Sequence, residues 1–337
     1  MQNQRKIFGK LPDGREIGSY GLTNSNGMTM RVLEYGCIIQ SLKLPINGDL
    51  IDIVLGFDRI GDYVESHKLP APPHFGAVIG RYAGRIKNGR FSIGESHYKL
   101  NANNGPNTLH GGPVGWDKVV WDVADKADTS ITFKYLSADG DENFPGNLDV
   151  TAKYTLTEDN ELAIEYSATT DADSIINMTQ HTYFNLDGHT GNVLQQQLTV
   201  HSNKMLETDD AIVPTGRIVD AASLGFDFIE PRNCPSNIDH SYIIDKPSAP
   251  AASLKSLNNG LKLTIYSDQP SVHLYIGGDL FGKLRGKEGF EYHAHSGICF
   301  ESQNFPDAPN NSHFPTAILR RGETYSQKTI WKFEHEK

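Results

Sequence analysis

Stripes of apolar residues at every second position, broken by Asn-Gly and Asp-Gly pairs, are the feature that most limits how this chain can fold. Leu148, Val150, Ala152, Tyr154 and Leu156 alternate with mostly polar neighbours, and Leu162, Ile164 and Tyr166 repeat the pattern a few residues later. Successive side chains on a strand point to opposite faces, so such a stripe buries one face and wets the other. The intervening segment 157–160 (TEDN) reads as a hairpin turn. Ile131, Phe133 and Tyr135 form a further stripe, as do Leu261, Leu263 and Ile265. Asp13-Gly14, Asn26-Gly27, Asn47-Gly48, Asn88-Gly89, Asp139-Gly140, Asp187-Gly188 and Asn259-Gly260 supply tight connections. Helical periodicity is scarce, and the best short candidates are 60–65 and 251–257. A strand–helix alternation of the Rossmann or TIM-barrel kind is therefore disfavoured. The Pro-, Ala- and Ser-rich segment 245–256 reads as an exposed loop, too short to mark a domain boundary. The expectation is an all-β chain: one large antiparallel β-sandwich domain over residues 1–337 with few short helices. Two packed β domains are the alternative.

A chain of 337 residues can bury a large core without disulfides or metals. Its net charge of -10 argues against a broad basic surface for nucleic acid. No apolar run reaches the length of a membrane-spanning helix, and no apolar stretch follows the charged N-terminus as in a secretory signal. Cys37, Cys234 and Cys299 are irregularly spaced, which fits neither a zinc site nor a disulfide framework and suits a reducing compartment. These readings predict a soluble, cytoplasmic protein with no nucleic-acid or membrane partner.

The chemistry-bearing residues gather in a few polar segments. His110 lies in NNGPNTLHGGPVGWD and His181 in INMTQHTYFNLDG. Segments so rich in Asn, Thr and Gly make poor core strands, and building a polar cleft is one reason to fold them; ordinary histidine-bearing turns are the plain structural reading. In GICFESQNFPDAPN, an apolar run delivers Glu301 to the start of a polar loop holding Gln303, Asn304, Asp307 and Asn310. A carboxylate partly desolvated there can act as a general base, or can simply cap a strand end. VIGRYAGRIKNGR carries Arg81, Arg85, Lys87 and Arg90 but lacks the spacing of a phosphate loop. Arginine forks suit sugar hydroxyls or a carboxylate, and either Arg81 or Arg85 can instead be structural. SNIDHSYII contributes Asp239 and His240, which face opposite ways on a strand. No GxSxG elbow, HExxH or Cys/His cluster is present. An arginine, two histidines, an aspartate and a glutamate suit a polyhydroxylated ligand. Trp116, Tyr183, Phe184 and Phe305 are candidates to pack on a sugar ring.

These motifs, in their order and spacing, closely resemble the aldose 1-epimerase, or galactose mutarotase, family. The likeness runs from FGKLPDGREIGSYGLTNSNGMTMRVLEYGCIIQSLKLP through DIVLGFDRIGDYV, IGRYAGRI, NTLHGG, MTQHTYFNL and IDHSYI to FESQNFPDAPN. The resemblance implies a β-supersandwich that interconverts the anomers of a free aldose such as D-galactose or D-glucose, without cofactor or metal. It implies Glu301 as general base, His181 as general acid, protonated with help from a nearby anion such as Asp239, and Arg81, His110 and Asp239 as sugar-binding residues. Many members have Asn where this chain has Gly84 and where it has Gln180, departures that bear on substrate preference. A non-catalytic carbohydrate-binding module and an enzyme acting on a hexose phosphate are the rival readings. The latter requires a convergent basic pocket, with Arg81, Arg85 and Lys87 as its candidates.

Overall fold

The computed structural model of the chain describes residues 4–278 and 285–335. The longest sequence stripe forms the strand Leu148–Leu156, in which every second residue is buried. It pairs antiparallel with Glu161–Thr170 across the turn at 157–160, from Leu148 opposite Thr170 to Leu156 opposite Leu162. At Asn47-Gly48 a two-residue turn joins paired strands, with φ of 52° and 94°. Both central residues of such a turn need positive φ, which Asn and Gly adopt most readily.

Three large sheets result. A nine-stranded sheet contains both of those strands, with Ser130–Ser137 on one side and Thr324–His335 and Leu261–Ser267 on the other. A six-stranded sheet runs in the order Tyr183–Phe184, Ile298–Gln303, Ser271–Ile276, Asp239–Ile243, Lys204–Thr208 and Pro214–Asp220. A five-stranded sheet is formed by residues 6–52. The ladders of these sheets are antiparallel. The nine- and six-stranded sheets share one core, in which Leu162, Ile164, Leu263 and Trp331 meet Val272, Leu274, Ile298 and Phe300. The Phe184 and Trp331 rings meet edge-on across it, 4.8 Å apart. A buried aromatic of this kind stabilises the fold by about 3 kcal/mol or more.

The helix expected at 60–65 forms, as Ile60–Ser66, with Ile60 and Tyr63 buried. The one expected at 251–257 does not. Ala252–Lys255 is a strand between Leu261–Ser267 and Gln197–Val200, with Leu254 opposite both Leu263 and Leu198. Over so short a run the two periodicities cannot be told apart, and partners on both edges decide the outcome. The same strand shortens the expected loop at 245–256. All three cysteines are free and buried.

Candidate active site

Alternation on the six-stranded sheet separates the core from the chemistry. Ser241, His273 and Glu301 stand opposite one another on three adjacent strands, as do Asp239, Tyr275, Cys299 and Tyr183 on four. Their chain neighbours Tyr242, Val272, Leu274, Ile276, Ile298 and Phe300 point into the core. The polar rows form the floor of a cleft of about 540 Å³. Its walls include His67, His74, Gly84, Arg85, His110 and His181. His181 arrives on the short strand Thr179–His181, paired with Ala77–Ile79. His110 follows Thr108–Leu109, whose pairing with Arg85–Ile86 sets His110 beside Gly84.

His181 Nε2 lies 3.6 Å from Glu301 Oε1. Both side chains are buried, and Glu301 Oε2 and Gln303 Oε1 have no hydrogen-bond partner among the described residues. Burial raises the Glu301 carboxyl to about 7; Asp239 adds to this, while His273 and Arg85 oppose it. Burial also lowers His181 to about 3, with the neighbouring His74 ring adding to the effect. His181 therefore rests neutral rather than protonated. Asp239 is not its counter-ion: its Oδ1 is 2.9 Å from His273 Nε2, and Ser241 Oγ is 2.9 Å from His273 Nδ1. Burial opposes charge on His273, but that hydrogen bond and the Asp239 and Glu301 charges hold it above the ordinary histidine value. The Gly84 N–H donates to His110 Nδ1 at 3.3 Å, which leaves the His110 proton on Nε2. Burial, together with the His74 and His181 rings, keeps His110 well below its usual value and so neutral.

Of the five residues expected to act, Glu301, His181, His110 and Asp239 line this cleft, and Arg81 does not. The Arg81 guanidinium is buried elsewhere, donating to Ser137 Oγ and to the carbonyls of Ser137, Ala138 and Pro145. A guanidinium with most of its N–H groups spent inside the protein, away from the cleft, is not placed to hold a ligand there. Arg85 lines the cleft instead, with its Nε 3.2 Å from Asn104 Oδ1. Lys87 faces Asp209 at 3.7 Å and, like Arg81, does not line the cleft, so the three basic residues do not converge there. Trp116, Phe184 and Phe305 belong to the apolar cores, and the cleft's aromatics are Tyr183 and Tyr275. His240 packs against Phe226, their ring centres 4.7 Å apart. The sequence reading passed over His273 and His74. His273 had a visible signal, as a histidine on the polar face of an otherwise apolar strand.

The two departures from the family pattern have separate physical meanings. A side chain at Gly84, where φ is +80°, would meet the Pro306 ring at 2.9 Å, so glycine leaves this wall bare. Gln180 points away from the cleft. Its Oε1 accepts from the hydroxyls of Tyr154 and Tyr166 at 2.8 and 2.7 Å, and its Nε2 donates to the Gly76 carbonyl. It ties the core to the loop before Ala77 and does not reach a ligand.

Residues 18–332 match the family model for aldose 1-epimerase. The galactose mutarotase of Bos taurus is 36% identical, with 98% of each chain covered. The aldose 1-epimerase of Escherichia coli (strain K12) is 33% identical, with 96% of each chain covered. Among solved structures, an aldose epimerase homologue from C. elegans superposes with a TM-score of 0.89 at 32% identity, covering 95% of this chain and 100% of its own. Galactose 1-epimerase from Lactobacillus acidophilus NCFM gives 0.85 at 26% identity, covering 99% of both. No helix among the described residues is long and apolar enough to cross a membrane. Motifs, fold and relatives agree over nearly the whole length, and the chain belongs to the aldose 1-epimerase family.

Proposed function

We propose that this chain interconverts the α and β anomers of free aldoses, D-galactose and D-glucose among them, with Glu301 and His181 moving the protons. The observation that carries the residue assignment is the buried pair itself: a carboxyl raised to about 7 and an imidazole, 3.6 Å apart, on a polar cleft. Ring opening removes a proton from the anomeric hydroxyl and delivers one to the ring oxygen as the C1–O5 bond breaks. A carboxylate takes the first and an imidazolium gives the second. The pair needs only one proton for this. At rest the proton sits on Glu301; in the reactive arrangement it sits on His181. Opening then returns it to Glu301, because the substrate proton lands there as His181 loses its own. The aldehyde turns about C1–C2, and closure reverses both transfers on either face.

The surroundings support these roles. His110 presents an Nε2–H, a donor for a sugar oxygen. Arg85 supplies a fixed cation beside Glu301 and Asp239. His273, held between Ser241 and Asp239, fixes the Asp239 carboxylate, whose second oxygen is an acceptor for hydroxyl groups. Each sugar hydroxyl taken from water needs such a partner, since an unmade buried hydrogen bond costs about 1–3 kcal/mol.

Polarimetry on freshly dissolved α-D-galactose and α-D-glucose tests the reading. The protein accelerates the approach to equilibrium, and Glu301→Gln and His181→Asn each reduce turnover about 10²–10⁴-fold with the fold intact. A folded variant that retains the parent rate overturns that residue's role. A parent protein that leaves the spontaneous rate unchanged is a binder and not a catalyst.

A further inference from the structure

We propose that His67, His74 and Asp117 form a second site on the wall of the cleft, which takes one divalent transition-metal ion of the zinc class through two imidazole nitrogens and a carboxylate oxygen. The three come from separate elements. His67 caps the end of the helix Ile60–Ser66, His74 lies in the loop before Ala77–Ile79, and Asp117 sits in the single helical turn Trp116–Lys118. One ligand atom from each lies within 4.8 Å of the others. Asp117 Oδ2 is 2.8 Å from His74 Nδ1 and 3.6 Å from His67 Nδ1. Ligands at about 2.0–2.1 Å from a tetrahedral ion stand about 3.3 Å apart, so both separations are within roughly half an ångström of what zinc requires.

A plain Asp117–His74 hydrogen bond accounts for two of these groups and leaves the third unexplained. Both ring nitrogens of His67 are buried without a hydrogen-bond partner among the described residues. Such a group carries a desolvation cost that calls for a partner. Asp117 is fully buried, and among the described residues its ion-pair partners are these two histidines, which are charged only when protonated. The protonation states also suit a metal. Burial lowers His67 to about 4, so it presents a free lone pair at neutral pH. Burial opposes charge on Asp117, but the two histidines hold it well below the ordinary carboxylate range.

His110, His181 and Glu301 also converge within the same span, yet they make a poorer donor set. Metal binding displaces one imidazole proton at either site, that of His74 Nδ1 here and that of His110 Nε2 there, but there it must displace the Glu301 proton as well. Glu301 keeps its proton up to about 7. His67 and His74 line the cleft, so an ion bound to them would lie in its wall.

The test titrates the purified full-length chain, stripped with a chelator and dialysed, with ZnCl2 in a calorimeter, and with Co2+ followed by its visible d–d absorption. One ion per chain is expected. His67→Asn and Asp117→Asn are each expected to weaken binding at least about 10–100-fold, the loss known for removing just a hydrogen-bond partner of a metal ligand. Glu301→Gln is expected to leave it unchanged. Asp117 is buried and its variant can misfold. His67→Asn is therefore also read by the zinc-dependent rise in melting temperature, which it should abolish. Absence of binding in the parent, full binding in His67→Asn, or loss of binding in Glu301→Gln each overturns the site. None of these readouts uses mutarotation, so the fate of the catalytic proposal is decided separately.

Discussion

If the catalytic pair works with a single shared proton, raising the pH through neutrality should switch the enzyme off. Between about 3 and about 7, Glu301 and His181 together hold one proton. Above that range the pair is empty and nothing remains to protonate the ring oxygen, so kcat/KM falls tenfold per unit, or about 100-fold two units beyond the limb. Below about 3 both groups are protonated and no base is left. The limbs belong to the pair, because two groups so close titrate as a unit. Within the plateau the proton must move from Glu301 to His181 before the ring opens. The higher proton affinity of Glu301 makes that transfer uphill in the free protein. Substrate hydroxyls that hydrogen-bond to an ionised Glu301 reduce this cost, which is one way that binding an aldose prepares its own reaction. The measurement is polarimetric kcat/KM for α-D-glucose against pH, with the spontaneous rate subtracted. A simple carboxylate base with a neutral histidine donor predicts the reverse, a rate that rises through about 7 and stays high. A profile of that shape would refute the shared-proton mechanism while leaving the pair as the site.

The same burial has a thermodynamic signature. Glu301 binds its proton more tightly folded than unfolded, so its contribution is full below about 4.5 and lost as pH rises to about 7. Glu301→Gln should therefore stabilise the protein by up to about 3 kcal/mol in mildly alkaline buffer and hardly at all in acid; urea melts across this range check it, and an equal gain at every pH excludes the cause. Arg85→Ala should lower kcat/KM about 10–100-fold with little change in melting temperature, the worth of one or two charge-assisted hydrogen bonds. Arg81→Ala should do the opposite, unfolding earlier because the Ser137, Ala138 and Pro145 carbonyls lose their donors; finding both effects exchanged would reverse the assignment of the two arginines. Gln180→Leu strands the Tyr166 hydroxyl, while the Tyr154 hydroxyl keeps the Cys37 carbonyl and the Gly76 carbonyl keeps the Ile39 N–H, and should cost about 1–3 kcal/mol in chemical denaturation.

How much of this was readable in the chain follows from how local each determinant is. The strand Leu148–Leu156 and its hairpin partner were legible because period-2 burial and a turn are short-range properties. Glu301 and Asp239 were legible for the same reason, since each begins or interrupts an apolar run. Arg81 and Arg85 could not be told apart in that way. Both are arginines in one glycine-rich segment, and what separates them is the pairing of Arg85–Ile86 with Thr108–Leu109. His67, His74 and Asp117 come together through tertiary contacts between a helix end, a loop and a helical turn, and no spacing in the sequence announces that.

The strand Ile298–Gln303 shows why the legible part is also the part least free to change. Its residues alternate: Ile298 and Phe300 pack in the core, and Glu301 and Gln303 line the cleft. A slip of one residue against Ser271–Ile276 would drive Glu301 into the core and expose Phe300 to the cleft. Burying an unpaired carboxylate and unburying a large aromatic are each worth several kcal/mol, so the register that makes the chain stable also delivers the base. Fold stability therefore enforces the positions of Glu301 and His273 without any help from catalysis. His181, at the end of the three-residue strand Thr179–His181, and His110, just after the two-residue strand Thr108–Leu109, depend instead on local partners such as the strand Ala77–Ile79 and the Gly84 N–H.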